Sequence, residues 1–339
     1  MTRPLKKLFA TGQMLRQALS EQRDCIADVH ARMAPCLRSP AGTPLDYRVA
    51  PGAVPRSFRS WRRNLFSTLF HSTYLVMGYA LPQRMLYGRI IHLYRIWVTS
   101  ADNLLDHEDK IVVPIEMPGT SRIMRQVIAL MAADRVLAEL LEEAVTDKMI
   151  SAKSARLLMQ ESLRRLLPSA AQEAQEEGGI RERPEPEHVL DVIHRLKTGL
   201  LFHVAFAAPE ILEPAPDLAR MRRLKDALMQ VGLGCQVLDD IRDMARDLLE
   251  QRHNYVLSWM AHHQPEALRQ LEAQALTVSD RLYLHAADAV APAAERGFRM
   301  VRDGLCALGD AGLDCGPETT AQMANLMFTV LDIPELQNV

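Results

Sequence analysis

Apolar residues recur three and four positions apart through almost the whole chain, as in Leu233, Val237, Met244 and Leu248. That period lines up side chains on one face of an α-helix, and no stretch alternates with the period of two that a half-buried strand needs. The periodic segments run for about 15 to 35 residues between groups of proline and glycine. The first covers roughly residues 5–34. Pro35, Pro40, Pro44, Pro51 and Pro55, with Gly42 and Gly52, then form a connector. Further breaks fall at Pro82, at Pro114, Pro118 and Gly119, and at Gly178, Gly179, Pro184 and Pro186. Others fall at Pro209, Pro214 and Pro216, at Pro265, at Pro292 and over Gly309–Pro317. Pro168 lies well inside a helical stretch and is expected to kink or end it. Helices of this length with short connections form a bundle that keeps its sites in the core. Nothing repeats at a fixed period, which argues against a solenoid. The expectation is therefore an all-α, single-domain helical bundle over residues 56–335 with a central cavity. An N-terminal helix and proline-rich connector over residues 1–55 precede it.

Of 339 residues, 48% are hydrophobic and 24% charged, enough for a real core and too apolar for a disordered chain. Forty basic residues against forty-two acidic ones leave no overall field to attract nucleic acid or an anionic membrane. Aromatic residues are few, and half of them (Phe58, Trp61, Phe66, Phe70, Tyr74, Tyr79, Tyr87, Tyr94 and Trp97) crowd into forty positions. Cys25, Cys36, Cys235, Cys306 and Cys315 show no zinc or redox spacing, so reduced, buried thiols in a cytoplasmic protein are expected. The basic N-terminus is not followed by an apolar signal core. Asn64–Gln83 lacks formal charge over nearly the length of a membrane span. Ser67, Thr68, His71, Ser72 and Thr73 make it a buried, pocket-lining helix instead.

Two acidic clusters change the picture. Asp102, Asp106 and Asp109 stand at i, i+4 and i+7, which on a continuous helix places three carboxylates on one face. Asp239, Asp243 and Asp247 repeat the arrangement, with Asp240 beside them. A solvated helix face is the ordinary reading of either cluster alone. Each, however, adjoins an apolar stretch, Trp97-Val98 in one case and Val231–Leu238 in the other. Mg²⁺ takes oxygen ligands and commonly combines one or two carboxylates with substrate phosphates, so two such helices suit a metal-bound polyphosphate. A di-iron bundle needs Glu-x-x-His on two helices, and only Glu185–His188, in a proline-flanked loop, has that spacing.

At these residues the chain resembles the class I isoprenoid synthases, the all-α superfamily of trans-prenyl diphosphate synthases, squalene/phytoene synthases and terpene cyclases. Gln236-Val-Leu-Asp239-Asp240-Ile-Arg242-Asp243, continuing to Asp247, resembles the second aspartate-rich motif of prenyl synthases. Lys197-Thr198-Gly-Leu-Leu-Phe202 resembles the Lys-Thr segment before it, and Asp102-Asn-Leu-Leu-Asp106 resembles the first motif with Asn103 in its second place. The series Gln236, Arg242-Asp243, Asp247, Arg252 and Tyr255 is also similar to squalene/phytoene synthases. The three segments span roughly residues 60–260. The resemblance implies a homodimer that ionises an allylic prenyl diphosphate with several Mg²⁺ ions. Asp102, Asp106, Asp239, Asp243 and Asp247 would be metal ligands, and Lys197, Gln236, Arg246 and Arg252 would hold the diphosphate. Gln236 can equally satisfy a helix interface, and Arg246 a surface ion pair.

Aromatic faces attract cations, and a dry pocket protects a carbocation. Phe66, Phe70 and Tyr74 form one stripe, Tyr94 and Trp97 precede Asp102, and Phe202 and Phe206 follow Lys197, as a pocket wall or as plain core. The departures from the family concern the second substrate. Elongating synthases carry Gly-Lys-x-Arg-Pro early in the domain and an Arg-Arg pair after the first motif. This chain offers Arg56, Arg59, Arg62 and Arg63 in the first place and Lys110 in the second. The missing motifs and concentrated aromatics favour a terpene synthase that cyclises or rearranges one substrate. The alternative is a short-chain trans-prenyltransferase using isopentenyl diphosphate in an altered site, with head-to-head condensation or an inactive partner subunit behind it.

Overall fold

A computed structural model describes residues 3–275, 277, 281–313 and 316–337. Among them the only strands are Ala50–Pro51 and Ile115–Glu116, an antiparallel pair two residues long. The all-α expectation holds. The chain divides into two compact units, which are described separately.

The first unit comprises Gly12–Glu161 with Ala205–Pro216. Its main helices are Arg3–Cys36 from Gly12 onward, Leu65–Val76, Leu81–Leu105 and Arg122–Thr146. Tyr74, Tyr87, Met33, Ile90, Leu93, Ile96 and Leu137 are almost wholly buried between them. A Cβ at Gly88 would lie 2.7 Å from Cys25 Sγ and 2.8 Å from His71 Nδ1, so the Leu81–Leu105 helix approaches two neighbours too closely for any side chain there. The uncharged stretch Asn64–Gln83 is divided: its helix stops at Val76, and Gly78 (φ +75°) turns the chain before the next helix begins at Leu81. Among the described residues no helix is long and apolar enough to cross a membrane.

The second unit comprises Ser162–Val204 and the residues from Asp217 on, with those before Gly12. Its centre is the pairing of Leu218–Arg242 with Ala287–Leu308. Asp217 caps the first of these by accepting the Arg220 N–H at 2.9 Å. Val189–Gly199 is wound as a π-helix, a form often found beside functional residues, and it presents Lys197 and Thr198 near its end.

Proline positions account for most differences from expectation. Pro82 and Pro265 mark the expected breaks from inside the first turn of the following helix, where the missing N–H is not needed, whereas two other prolines depart from expectation. Pro292 lies within Ala287–Leu308, and Pro168 does not end Ala152–Glu176. One absent hydrogen bond in a long helix is outweighed by packing on either side. Cys25 and Cys235 are buried thiols, whereas Cys36 and Cys306 are exposed, contrary to the expectation for those two. Cys315 lies outside the described residues.

Candidate functional site

In the first unit the Leu81–Leu105 helix stops one residue before Asp106, which caps it by donating N–H to the Asp102 carbonyl at 2.8 Å. The Asn103 side chain then binds the Lys110 backbone twice, donating to its carbonyl at 2.8 Å and accepting its N–H at 3.1 Å. His107, at φ +54°, completes the turn. This return brings Glu108 to the other two acids, and carboxylate oxygens of Asp102, Asp106 and Glu108 lie within 4.8 Å of one another. Asp109 leaves the cluster for a pair of contacts with Arg125 at 2.9 and 2.8 Å. The i, i+4, i+7 face is thus corrected to Asp102, Asp106 and Glu108, because the helix ends before its third acid. Lys110 approaches Asp102 at 3.7 Å and pairs with Glu108. A convergent set of carboxylate oxygens with one nearby ammonium suits a hard divalent cation.

Two turns before Asp102 on the same helix stands Arg95, and around it gathers a group of opposite charge. Arg95 donates to Asn64 Oδ1 at 3.0 Å, while Asn64 donates its amide protons to the carbonyls of Phe58 and Ser60 at 2.6 and 2.9 Å. Arg63 lies 3.8 Å above the Phe58 ring and donates to the Ile111 carbonyl. His30 and His92 meet through Nε2 atoms 3.4 Å apart. Arg63, Asn64, His92, Arg95 and Phe58 line a cleft of about 240 Å³, counting the part open to solvent. Among the described residues no carboxylate pairs with Arg63 or Arg95. Burial, reinforced by Arg63, holds Arg95 down at about 10 and His30 at about 4. His92 is pushed well below its ordinary value by burial and by His30, Arg95 and Arg63. A guanidinium drawn from water without a counter-charge is costly, and an anion relieves that cost.

In the second unit Asp239 and Asp243 share a counter-ion: Arg242 is 2.8 Å from one and 2.7 Å from the other. Arg246 reaches Asp243 at 3.9 Å. Asp247 accepts from Asn254 at 2.7 Å, and burial with Asp240 behind it pushes its carboxyl well above the usual range. Asp240 turns inward, where His194 Nε2 stands at 2.7 Å, the Tyr255 N–H at 2.5 Å and the Gln236 amide at 3.0 Å. Gln236 also accepts from Thr198 at 2.5 Å, which links the π-helix to the aspartate helix. Lys197 pairs with Glu173 at 3.0 Å and lies 3.9 Å from Glu176; these acids raise its pKa despite burial that lowers it. Arg252 reaches Glu173 at 3.8 Å and Glu250 at 3.7 Å.

Tyr74 and Tyr94 in the first unit are core side chains, as is Phe206. Tyr74 donates to the Ala205 carbonyl at 2.5 Å. Phe66, Phe70 and Trp97 are half-buried, and Phe202 in the second unit packs where a Gly232 side chain would stand. Sequence reasoning passed over Glu108, His30, Arg95 and His194. Arg95 had a signal, its seven-residue spacing from Asp102 on one helix. Glu108 had none, since the turn that brings it in depends on Asn103 and Lys110.

No protein-family model and no curated protein matches the chain. Solved structures do. A geranylgeranyl pyrophosphate synthase from Lactobacillus brevis is 15% identical with a TM-score of 0.56, over 94% of this chain and 96% of that one. A decaprenyl diphosphate synthase from Rhodobacter capsulatus is 15% identical with a TM-score of 0.58, over 94% and 98%. A polyprenyl synthase from Caulobacter crescentus, complexed with calcium and isoprenyl diphosphate, is 14% identical with a TM-score of 0.57, over 97% and 98%. The chain therefore has the all-helical fold of the prenyl diphosphate synthases.

Proposed function

We propose that this chain is a divalent-metal-dependent prenyltransferase that ionises an allylic diphosphate and joins it to an isopentenyl-type diphosphate. The observation that carries this reading is the cleft lined by Arg63, Arg95 and His92, whose two guanidinium groups have no carboxylate partner among the described residues. A cyclase acts on one diphosphate and has no use for a second anion site. The departures in the family's arginine motifs weigh toward cyclisation in the sequence, but the cleft joins Arg63, from the first of those places, to Arg95 from a new position. The neighbours named as prenyl diphosphate synthases support the same choice.

Asp102, Asp106 and Glu108 in the first unit are the residues best disposed to hold a metal, and Asp239, Asp243 and Asp247 in the second unit are a separate candidate set. Bound there, Mg²⁺ supplies charge neutralisation to a departing diphosphate. Metal binding at Asp239 and Asp243 has to displace Arg242, which then becomes available to diphosphate oxygens. Lys197 is held by Glu173, and Gln236 spans Thr198 and Asp240, so in this reading both position the π-helix before they touch a ligand. Phe66, Phe70 and Trp97 are the half-buried candidates for shielding the carbocation.

The test is incubation with Mg²⁺ and geranyl or farnesyl diphosphate, with and without isopentenyl diphosphate. A longer diphosphate formed only when both are present is expected; hydrocarbon or alcohol formed from one substrate alone overturns the reading. Arg95→Gln removes a charge-assisted contact of about 2 kcal/mol and is expected to raise KM for isopentenyl diphosphate about thirtyfold. The KM for the allylic substrate is expected to stay within a factor of about three, since the cleft serves the other diphosphate.

A further inference from the structure

A near-neutral whole chain conceals a local concentration of charge. Residues 38–63 contain Arg38, Arg48, Arg56, Arg59, Arg62 and Arg63 against the single acid Asp46. All but Arg63 are exposed. The same segment exposes large apolar side chains: Leu45 at 76%, Tyr47 at 73%, Val54 at 46% and Trp61 at 41%. Single exposed apolar residues are ordinary, whereas four within one arginine-rich connector of 26 residues are a concentration that calls for a partner.

The connector is held in place. Gly52 donates to the Pro114 carbonyl at 2.9 Å, Val49 to Ser39 Oγ at 2.8 Å, and Arg48 to the Thr43 carbonyl at 2.8 Å. Arg23 on the Arg3–Cys36 helix donates to the Arg59 carbonyl at 2.8 Å. Val54, Phe58 and Arg59 continue into a groove lined by Ile26 and Met33 of that helix and by Leu37 just after it. Val54 therefore borders an apolar groove, and Leu45, Tyr47 and Trp61 are exposed on the same held connector, which also carries the arginines.

We propose that the connector over residues 38–63 is a docking surface for an anionic lipid bilayer. Exposed arginines pair with headgroup phosphates, and tyrosine and tryptophan settle at headgroup level. Leucine and valine enter the upper acyl region. Single-stranded nucleic acid matches the arginines and rings but leaves Leu45 and Val54 in water. Phe58 and Arg63 of the connector line the cationic cleft, but Arg38, Leu45, Tyr47, Arg48 and Trp61 lie outside it and outside the carboxylate cluster, so the docking surface is tested independently of the catalytic reading.

The full chain is sedimented with vesicles of phosphatidylcholine alone and with vesicles of equal parts phosphatidylcholine and phosphatidylserine, at low and high salt. Binding to the serine-containing vesicles only, reversed by salt, is expected. R38E/R48E is expected to weaken that binding about fivefold or more per arginine. L45S/Y47S is expected to weaken it with charge unchanged, and R48Q, the mildest change, to weaken it least. Trp61 fluorescence shifts to the blue on the vesicles, and W61F removes that shift. Circular dichroism melting confirms that each variant is folded. The proposal is overturned if no vesicle binds, if neutral vesicles bind equally, or if R38E/R48E binds as the wild type does. It is overturned as well if an RNA oligonucleotide displaces the vesicles. Conversion of a dimer to a monomer by L45S/Y47S does the same, since a second copy then covers the connector.

Discussion

In the first unit Glu21 is gripped from two sides, by Arg84 at 2.9 and 2.6 Å and by His71 Nε2 at 2.7 Å. Burial pushes the Glu21 carboxyl up, but bonds from Arg84 and His71 win and hold it at about 2, against an ordinary 4.5. Burial also lowers the pKa of His71, so the ring is neutral and donates its Nε2 proton. Both groups then resist acid in the folded state. A depressed carboxyl contributes stability that is complete above its unfolded value and fades as pH falls from 4.5 toward 2. A histidine kept neutral begins to withdraw stability once pH drops below 6.5. Glu21→Gln keeps the shape and leaves Arg84 without its counter-charge, a loss of about 3 kcal/mol at neutral pH. Urea melts of both proteins at pH 7 and near pH 3 check this, and the gap is expected to narrow at the lower pH. A gap that stays constant would mean that the network acts through shape alone. His71 was legible in the sequence only as one packed histidine among several. Its partner lies fifty residues away, and nothing local announces the pair.

At the scale of elements, helix existence was legible and helix ending was not. The period of apolar positions gave the long helices. Where the Leu81–Leu105 helix stops depends on the bonds from Asn103 to Lys110, and those decide which acid joins Asp102 and Asp106. The meeting of helices was equally hidden. Leu218–Arg242 and Ala287–Leu308 in the second unit approach so closely that a Cβ on Gly234 would stand 2.7 Å from the Gly297 carbonyl. A Cβ on Gly297 would stand 3.0 Å from the Gly234 carbonyl, and one on Gly304 would stand 2.8 Å from that of Ala227. Backbone cannot yield as a side-chain tip does, so a methyl group there must force the helices apart. Gly297→Ala and Gly234→Ala are each expected to cost about 3 kcal/mol, the upper end of overpacking. Because each intrudes on the other's backbone, the first separation serves both, and the double variant is expected to lose less than the sum. Denaturant midpoints of the two single variants and the double variant measure the coupling; simple additivity would deny the shared contact.

Across the whole molecule, the sequence made the chemistry legible through the spacing of its acids and left their states obscure. Asp239, Asp240 and Asp243 look alike in a row, yet Asp240 is a buried anchor for His194 and the Tyr255 N–H, while Asp239 and Asp243 lean on Arg242. Acids that await a cation and acids that hold the fold should respond in opposite ways to neutralisation. Asp102, Asp106 and Glu108 crowd like charges within 4.8 Å, so Asp102→Asn with Asp106→Asn is expected to leave the ligand-free protein as stable or slightly more so. Asp240→Asn strands His194 and is expected to cost about 3 kcal/mol. Mg²⁺ with inorganic diphosphate, a ligand of the folded state, adds about 2.7 kcal/mol at a hundred times its Kd. For a chain of this size that raises Tm by about 4 °C. Thermal melts with Mg²⁺, with diphosphate and with both should show the rise only when both are present, since the cation joins carboxylate to phosphate oxygens. The Asp102/Asp106 variant should lose the rise while keeping its ligand-free Tm. A full rise in that variant would remove the first acidic cluster from the metal site, and a fall in its ligand-free Tm would make those aspartates supports of the fold instead.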